Sequence, residues 1–200
     1  MPMSVFKRVL AMATAAAAAG VFLVTPAAHA ATPTTKDAAA LAKDLAAGDL
    51  SALSDTTYRV TWENTASQQC LNQDYSGGVP HHDILAWACD DSASNEYWDI
   101  TYDAGEGWWT FKNVASKQCL NQDYSGGVAH HDMLAWACDD SALNEKWYLD
   151  DNDFPGYWTI KNVRSGQVLN QDFSGGQANH DVLAWPYSYA AANALWIIGS

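Results

Sequence analysis

Cys70 to Trp98 reads C-L-N-Q-D-Y-S-G-G-V-P-H-H-D-I-L-A-W-A-C-D-D-S-A-S-N-E-Y-W. The same stretch returns from Cys119 to Trp147 with few changes. It returns again, more altered, from Val168 to Trp196. Trp98, Trp147 and Trp196 are 49 positions apart, as are Trp87, Trp136 and Trp185. A fixed period of this kind dictates architecture, because each copy is one unit that buries its apolar face only against its neighbours.

Around these copies the local chemistry is that of strands and turns. Arg59-Val60-Thr61-Trp62, Trp108-Trp109-Thr110-Phe111 and Tyr157-Trp158-Thr159-Ile160 open the copies at equal spacing, and their β-branched and aromatic residues are strand formers. Asn64, Asn113 and Asn162 end these runs at turns. Further strands are expected at Cys70-Leu71, from Ile84 to Cys89 and from Tyr97 to Tyr102, four per copy. The Ser76-Gly77-Gly78 loop between them needs unusual backbone angles. Three copies are too few for a propeller, which takes about four to eight blades, although the period and the Gly-Gly pair suit a kelch blade. A closed three-lobed all-β fold, the β-trefoil, uses three such units. Its expected core is Leu71, Ile84, Ala86 and Trp98, with Leu120, Met133, Ala135 and Trp147, and Leu169, Val182, Ala184 and Trp196.

The chain divides into residues 1–30, 31–56 and 57–200, the last as repeats 57–106, 107–155 and 156–200. In the first segment Lys7 and Arg8 precede an apolar run from Ala13 to Val24, then Ala28-His29-Ala30, the pattern of a secretory signal. The run is short for a bilayer span, so a secreted, extracellular protein without membrane insertion is expected. Residues 31–56 are Ala-rich, with Leu41, Leu45, Leu50 and Leu53 and no aromatic residue. Thr34 and Asp37 are helix-start residues and Gly48 a helix-weakening one, so this segment reads as a partly helical linker or pro-segment. Net charge is -13, and -15 without Lys7 and Arg8. Such a surface repels nucleic acid and anionic lipid and suits neutral partners.

Cys70, Cys89, Cys119 and Cys138 allow three pairings, and the repeat favours Cys70 with Cys89 and Cys119 with Cys138. The third copy has Val168 and Tyr187 instead, where apolar contact replaces the bridge.

Cys70-Leu71-Asn72, Trp87-Ala88-Cys89 and Asn95-Glu96-Tyr97-Trp98 together resemble the ricin-type β-trefoil lectins, over residues 57–200. Actinohivin-type lectins are similar through a repeated L-D-x-N motif, whose pair stands here in reversed order as L-N-x-D. The resemblance implies carbohydrate binding without catalysis or cofactor. It places the stacking aromatic at Trp87, Trp136 and Trp185, where an indole meets the C–H face of a pyranose. Strand alternation turns these residues away from the core face, with Leu85, Leu134 and Leu183 beside them. Asn72, Asn121 and Asn170 stand where the family has Asp, and lose charge-assisted strength. Asp74, Asp123 and Asp172 follow two residues later. Two readings apply to them: the missing sugar carboxylate, or an Asx-turn residue capping the Ser-Gly-Gly loop. Asn95, Asn144 and Asn193 match the family's closing amide, as hydroxyl ligand or turn former. Tyr75, Tyr124 and Phe173 do not share a hydroxyl, so they read as packing rings.

His82-Asp83, His131-Asp132 and His180-Asp181 fit a sugar contact or a structural loop bond; one such pair per lobe is too few ligands for zinc. Asp150, Asp151 and Asp153 make an acidic loop without calcium-loop spacing. No G-x-S-x-G elbow accompanies the serines. A protease inhibitor on the same scaffold and a metal-dependent hydrolase are the alternative functions. Up to three shallow sites, each about millimolar, bind a polymeric glycan multivalently on the lectin reading.

Overall fold

The computed structural model describes residues 35–48, 53, 54, 56–151, 155–189 and 191–199. The expected signal segment 1–30, Thr34, Leu50 and Asp153 lie outside the described residues.

Among the described residues the repeating units form twelve strands, four to a lobe. Lobe 1 holds β2 (Thr57–Asn64), β3 (Gln69–Gln73), β4 (Ile84–Ala88) and β5 (Trp98–Asp103). Lobe 2 holds β6 (Trp108–Asn113), β7 (Cys119–Gln122), β8 (Met133–Trp136) and β9 (Lys146–Asp150). Lobe 3 holds β10 (Thr159–Asn162), β11 (Val168–Gln171), β12 (Val182–Trp185) and β13 (Trp196–Gly199). Before them come β1 (Thr35–Lys36) and α1 (Ala38–Ala46).

Antiparallel pairing carries β10, β9, β6, β5, β2 and β13 into a six-stranded barrel, closed by a bridge between Trp158 and Trp196. The hairpins β3–β4, β7–β8 and β11–β12 supply the remaining strands. This is the β-trefoil anticipated from the period. All twelve expected core residues are buried. Each closing tryptophan is fully buried and satisfies its indole N–H locally: Trp98, Trp147 and Trp196 donate to the carbonyls of Leu71, Leu120 and Leu169, each at 3.1 Å. A buried indole N–H left unpaired costs about as much as the bond is worth, so the carbonyl fixes the ring's orientation.

Polar seams join the lobes. Buried Asn64, Asn113 and Asn162 donate to the carbonyls of Asn193, Asn95 and Asn144 at 2.9, 2.8 and 2.9 Å, tying the first strand of one lobe to the end of the preceding one. Buried Gln73 accepts from Ser116 and donates to Gln118, so the turn after β6 rests on lobe 1; Gln122 and Gln171 repeat the arrangement around the ring.

The two disulfides are Cys70–Cys89 and Cys119–Cys138, the pairing the repeat favoured. In the Ser-Gly-Gly loops both glycines of each copy have positive φ, 70° and 77° at Gly77 and Gly78, a region that side chains disfavour.

The segment ahead of lobe 1 packs on the trefoil. Asp37 caps α1 by accepting from Ala40 N at 2.9 Å. Leu41 and Leu53 are fully buried in the main core, and Leu45 is partly buried against it. Asp44 accepts from the Tyr58 hydroxyl at 2.7 Å and from Lys36 at 3.0 Å, which holds its carboxyl below the usual range. β1 adds a parallel pairing to β2.

Candidate functional site

The residues expected to stack on sugar end the outer hairpins. In β4, Ile84 and Ala86 face the core, while Leu85 is half-buried and Trp87 is exposed. The period of two puts these residues on opposite faces. Trp87, Trp136 and Trp185 are 50%, 50% and 49% exposed, very high for tryptophan. Leu134 lines the hollow beside Trp136. Leu85, Leu134 and Leu183 also meet at a smaller central hollow of about 460 Å3, ringed by Asp83, Asp132 and Asp181.

A hollow of about 1050 Å3 opens beside Trp136, and one of about 750 Å3 beside Trp87. The loop after each second cysteine forms their far wall: Asp90-Asp91-Ser92 in lobe 1 and Asp139-Asp140-Ser141 in lobe 2. Asp90 accepts from the amide and hydroxyl of Ser92 at 2.9 and 2.6 Å, which holds its carboxyl below the usual range. Asp139 does the same with Ser141. These bonds shape the loop and leave Asp91 and Asp140 exposed on its rim.

Beneath each hollow lies a buried carboxylate. Glu96 takes hydrogen bonds from Asn72 Nδ2 at 3.1 Å and from Asp90 N at 2.9 Å. Glu145 takes them from Asn121 Nδ2 at 3.0 Å and Asp139 N at 2.8 Å. Burial pushes both carboxyls upward in pKa, against the lowering effect of those donors. Asn72 is engaged at both ends, because its Oδ1 accepts from Asn95 Nδ2 at 2.7 Å. Asn95 Nδ2 also reaches Gln73 O at 2.9 Å. Asn121 with Asn144, and Asn170 with Asn193, repeat the amide pair. The amide rows thus build the floor of the hollow and span strand and closing turn, with Asn72, Asn95, Asn121 and Asn144 on the hollow lining.

Asp74, Asp123 and Asp172 cap their Ser-Gly-Gly loops. Each accepts from the following serine amide at 2.8 Å, and the serine hydroxyl reaches the other oxygen. Asp123 also lines the lobe 2 hollow, so the capping group stands on its edge. Asn179 Nδ2 adds a bond to Asp172 at 2.9 Å. His81 and His130 close the same loops by donating through Nε2 to Ser76 O and Ser125 O, each at 3.0 Å.

The His-Asp pairs bind lobe to lobe. His82 Nδ1 donates to Ala135 O at 2.8 Å, His131 Nδ1 to Ala184 O at 2.7 Å and His180 Nδ1 to Ala86 O at 2.9 Å. The carbonyl oxygens only accept, which fixes the imidazole proton on Nδ1. The backbone answers in reverse, Ala135 N donating to His82 O and its two equivalents likewise, each at 2.7 Å. Bridges Asp83–Leu134, Asp132–Leu183 and Asp181–Leu85 extend the contact. Among the described residues no group of three or more His, Cys, Asp or Glu is placed to hold a metal ion.

Lobe 3 differs chemically. It has no disulfide, Ala194 replaces the buried glutamate, and Pro186-Tyr187-Ser188-Tyr189 replaces Ala-Cys-Asp-Asp. Asn170, without that carboxylate, is half-buried where Asn72 and Asn121 are buried. Lobe 2 also differs from lobe 1, because Arg164 lies over the Tyr124 ring at 4.0 Å on the hollow's edge.

A family model described as ricin-type beta-trefoil lectin domain-like matches residues 50–136, 94–180 and 143–200, three overlapping spans covering well over half of the chain. The chain belongs to that ricin-type lectin-like family. No curated protein matches the chain. Among solved structures, this ricin-type domain is similar to the designed three-fold symmetric protein ThreeFoil, with TM-score 0.61 and 16% identity over 71% of this chain and 98% of that one. It is similar to a ricin B-like lectin of Macrolepiota procera in complex with lactose, with TM-score 0.56 and 14% identity over 70% of this chain and 94% of that one. An exo-beta-1,3-galactanase from Clostridium thermocellum matches at TM-score 0.57 and 18% identity, over 70% of this chain but only 30% of the enzyme. At these identities the likeness is one of fold.

Within the ricin-type frame, sequence reasoning passed over the Asp-Asp-Ser wall, the buried Glu96 and Glu145, and Arg164. The first two carried a signal. D-D-S-A directly follows the second cysteine in two copies and is missing from the third, as is the glutamate. Arg164 carried none, since it lies in the turn of the next lobe.

Proposed function

We propose that this protein is a secreted lectin that binds neutral polysaccharide without turnover, chiefly through the hollows of lobes 1 and 2. The observation that carries the reading is the half-exposed indole of Trp87 and of Trp136, each forming one wall of an open hollow opposite a carboxylate-bearing loop. An apolar ring face and fixed acceptors are the two things a pyranose needs. Asp91 and Asp140 supply charged acceptors on the rim, and in lobe 2 Asp123 adds a capping carboxylate at the edge. Lobe 3 keeps the indole but lacks this wall, so it contributes less.

Binding without chemistry fits the hydroxyls. Ser76 Oγ donates to Asp74, and the Nδ1 of His82 is committed to Ala135, so the neighbouring Ser, His and Asp do not converge as a triad. Export fits the two disulfides and the leader-like first 30 residues. Among the described residues no helix is long and apolar enough to cross a membrane.

The test is retention of the mature chain on immobilised galactan, xylan and mannan, with and without Trp87→Ala and Trp136→Ala. Each single variant should elute earlier and the double variant should not be retained, since two linked sites exceed one by about 10²–10⁴ in avidity. Full retention of the double variant would remove the reading.

A further inference from the structure

Each exposed tryptophan carries a second ring from a different lobe. The imidazole of His180 lies 4.0 Å from Trp87, centroid to centroid, tilted by 33°. His82 lies 4.3 Å from Trp136 and His131 lies 4.3 Å from Trp185, both tilted by 37°. We propose that each of these histidines is the positioning residue for the sugar platform of the next lobe: His82 for Trp136, His131 for Trp185 and His180 for Trp87.

The imidazole is itself anchored beside the ring it backs. Its Nδ1–H donates to the carbonyl of the alanine immediately before that tryptophan, and its backbone carbonyl accepts from the same alanine. Two bonds to one residue leave the ring little choice but to lie against the next side chain. The hollows supply the other half of the argument. Trp136 lines the lobe 2 hollow and His82 does not; Trp87 lines the lobe 1 hollow and His180 does not. The histidine therefore holds the indole from outside the hollow.

The energetic reason is conformational. A half-exposed indole in water samples several rotamers, and a ligand that stacks on it must immobilise it, which subtracts from affinity. A ring fixed on the far side has been immobilised already when the ligand arrives. The arrangement persists in lobe 3, which has lost its disulfide and its buried glutamate. The proposal rests on the sugar-binding reading of the hollows. A plain seam between lobes would also use the His–Ala bonds, but would not govern the mobility of the indole or the strength of a neighbouring site.

The experiment uses the full mature chain and two readouts. The first is the heteronuclear NOE of each exposed indole N–H by NMR, which needs no ligand. His82→Ala should loosen Trp136, His131→Ala should loosen Trp185, and His180→Ala should loosen Trp87. The buried Trp98, Trp147 and Trp196 report that the fold is intact. His82→Asn keeps a donor for Ala135 O without the ring, and should leave Trp136 as mobile as in the alanine variant. The second readout is retention on galactan, xylan and mannan in a Trp87→Ala/Trp185→Ala background, where adding His82→Ala should weaken binding about three- to tenfold. The proposal is overturned if loosening falls on the tryptophan of the histidine's own lobe, if no indole loosens, or if Trp136 loosens with retention unchanged. The lectin reading itself is judged by the Trp87→Ala/Trp136→Ala variant, and the indole dynamics decide which histidine holds which ring whether or not the one-site background is retained.

Discussion

Glu96 accepts a hydrogen bond from Asn72 Nδ2 at 3.1 Å, and its other oxygen takes the Asp90 amide at 2.9 Å. One buried carboxylate thus ties the floor of the lobe 1 hollow to its wall. Glu96→Ala strands a buried amide and a backbone N–H. It should cost about 1–3 kcal/mol, read from chemical denaturation. Glu145→Ala should match it, since Asn121 and Asp139 are held alike.

The same two carboxylates set a pH dependence. Burial raises their pKa in the folded state above the ordinary value of 4.5. The folded state then holds protons that the unfolded chain has released, so their favourable contribution is present at low pH and fades as pH rises through the folded pKa. Asp172, whose carboxyl is held low chiefly by the Ser174 amide, works in the opposite sense and loses its contribution as pH falls below its ordinary range. The melting temperature should therefore rise modestly on acidification from neutral towards pH 5, then fall in stronger acid. A Glu96→Gln/Glu145→Gln variant should lose most of the rising arm in a pH series of thermal melts.

Leu41 tests whether the Ala-rich segment matters to stability. It is fully buried in the main core, and α1 otherwise touches the trefoil through the small buried Ala38, partly buried groups and the Asp44–Tyr58 bond. Leu41→Ala should cost about 2–4 kcal/mol in denaturant unfolding. A detachable segment would show no loss.

The turn after the first strand of each lobe offers a stabilising change. Gln68 and Lys117 sit at φ of 60° and 64°, where the third copy has Gly166 at 71°. Left-handed backbone costs a residue with a side chain about 1 kcal/mol, which glycine avoids at some cost in unfolded-state entropy. Lys117→Gly should raise the denaturation midpoint slightly, with the Lys117 N to Asn113 O bond retained.

Reduction divides the lobes. Each disulfide closes a loop of 19 residues and is worth about 3 kcal/mol. Thiol reductant should lower the melting temperature, and hydrogen exchange should show faster opening around Asp90 and Asp139 than around Ser188.

How much of this was legible in the chain differs by layer. The trefoil and its twelve core residues followed from alternation within strands and a period of 49 between them, because both are local patterns copied three times. The disulfides followed for the same reason. The outward face of Trp87 came from alternation against Ile84 and Ala86. The His-Asp pairs were not legible, since their partners lie in the next lobe and depend on how the hairpins meet. Nor was the commitment of Asn72 and Asn95 to each other, because an amide reads alike as ligand or strut until its neighbours are placed. The burial of Leu41 and Leu53 was hidden by composition: scattered leucines among alanines carry no clear amphipathic stripe.

The lobe ring has a consequence for biogenesis. β2 is complete only when β13 lies against it, and Trp87 has its backing only when His180 arrives. A chain emerging from the ribosome N-terminus first therefore finishes its earliest lobe last. A nascent polypeptide halted after two repeats would keep an unclosed sheet edge and an unsupported indole, so arrival of the third repeat is what completes the first.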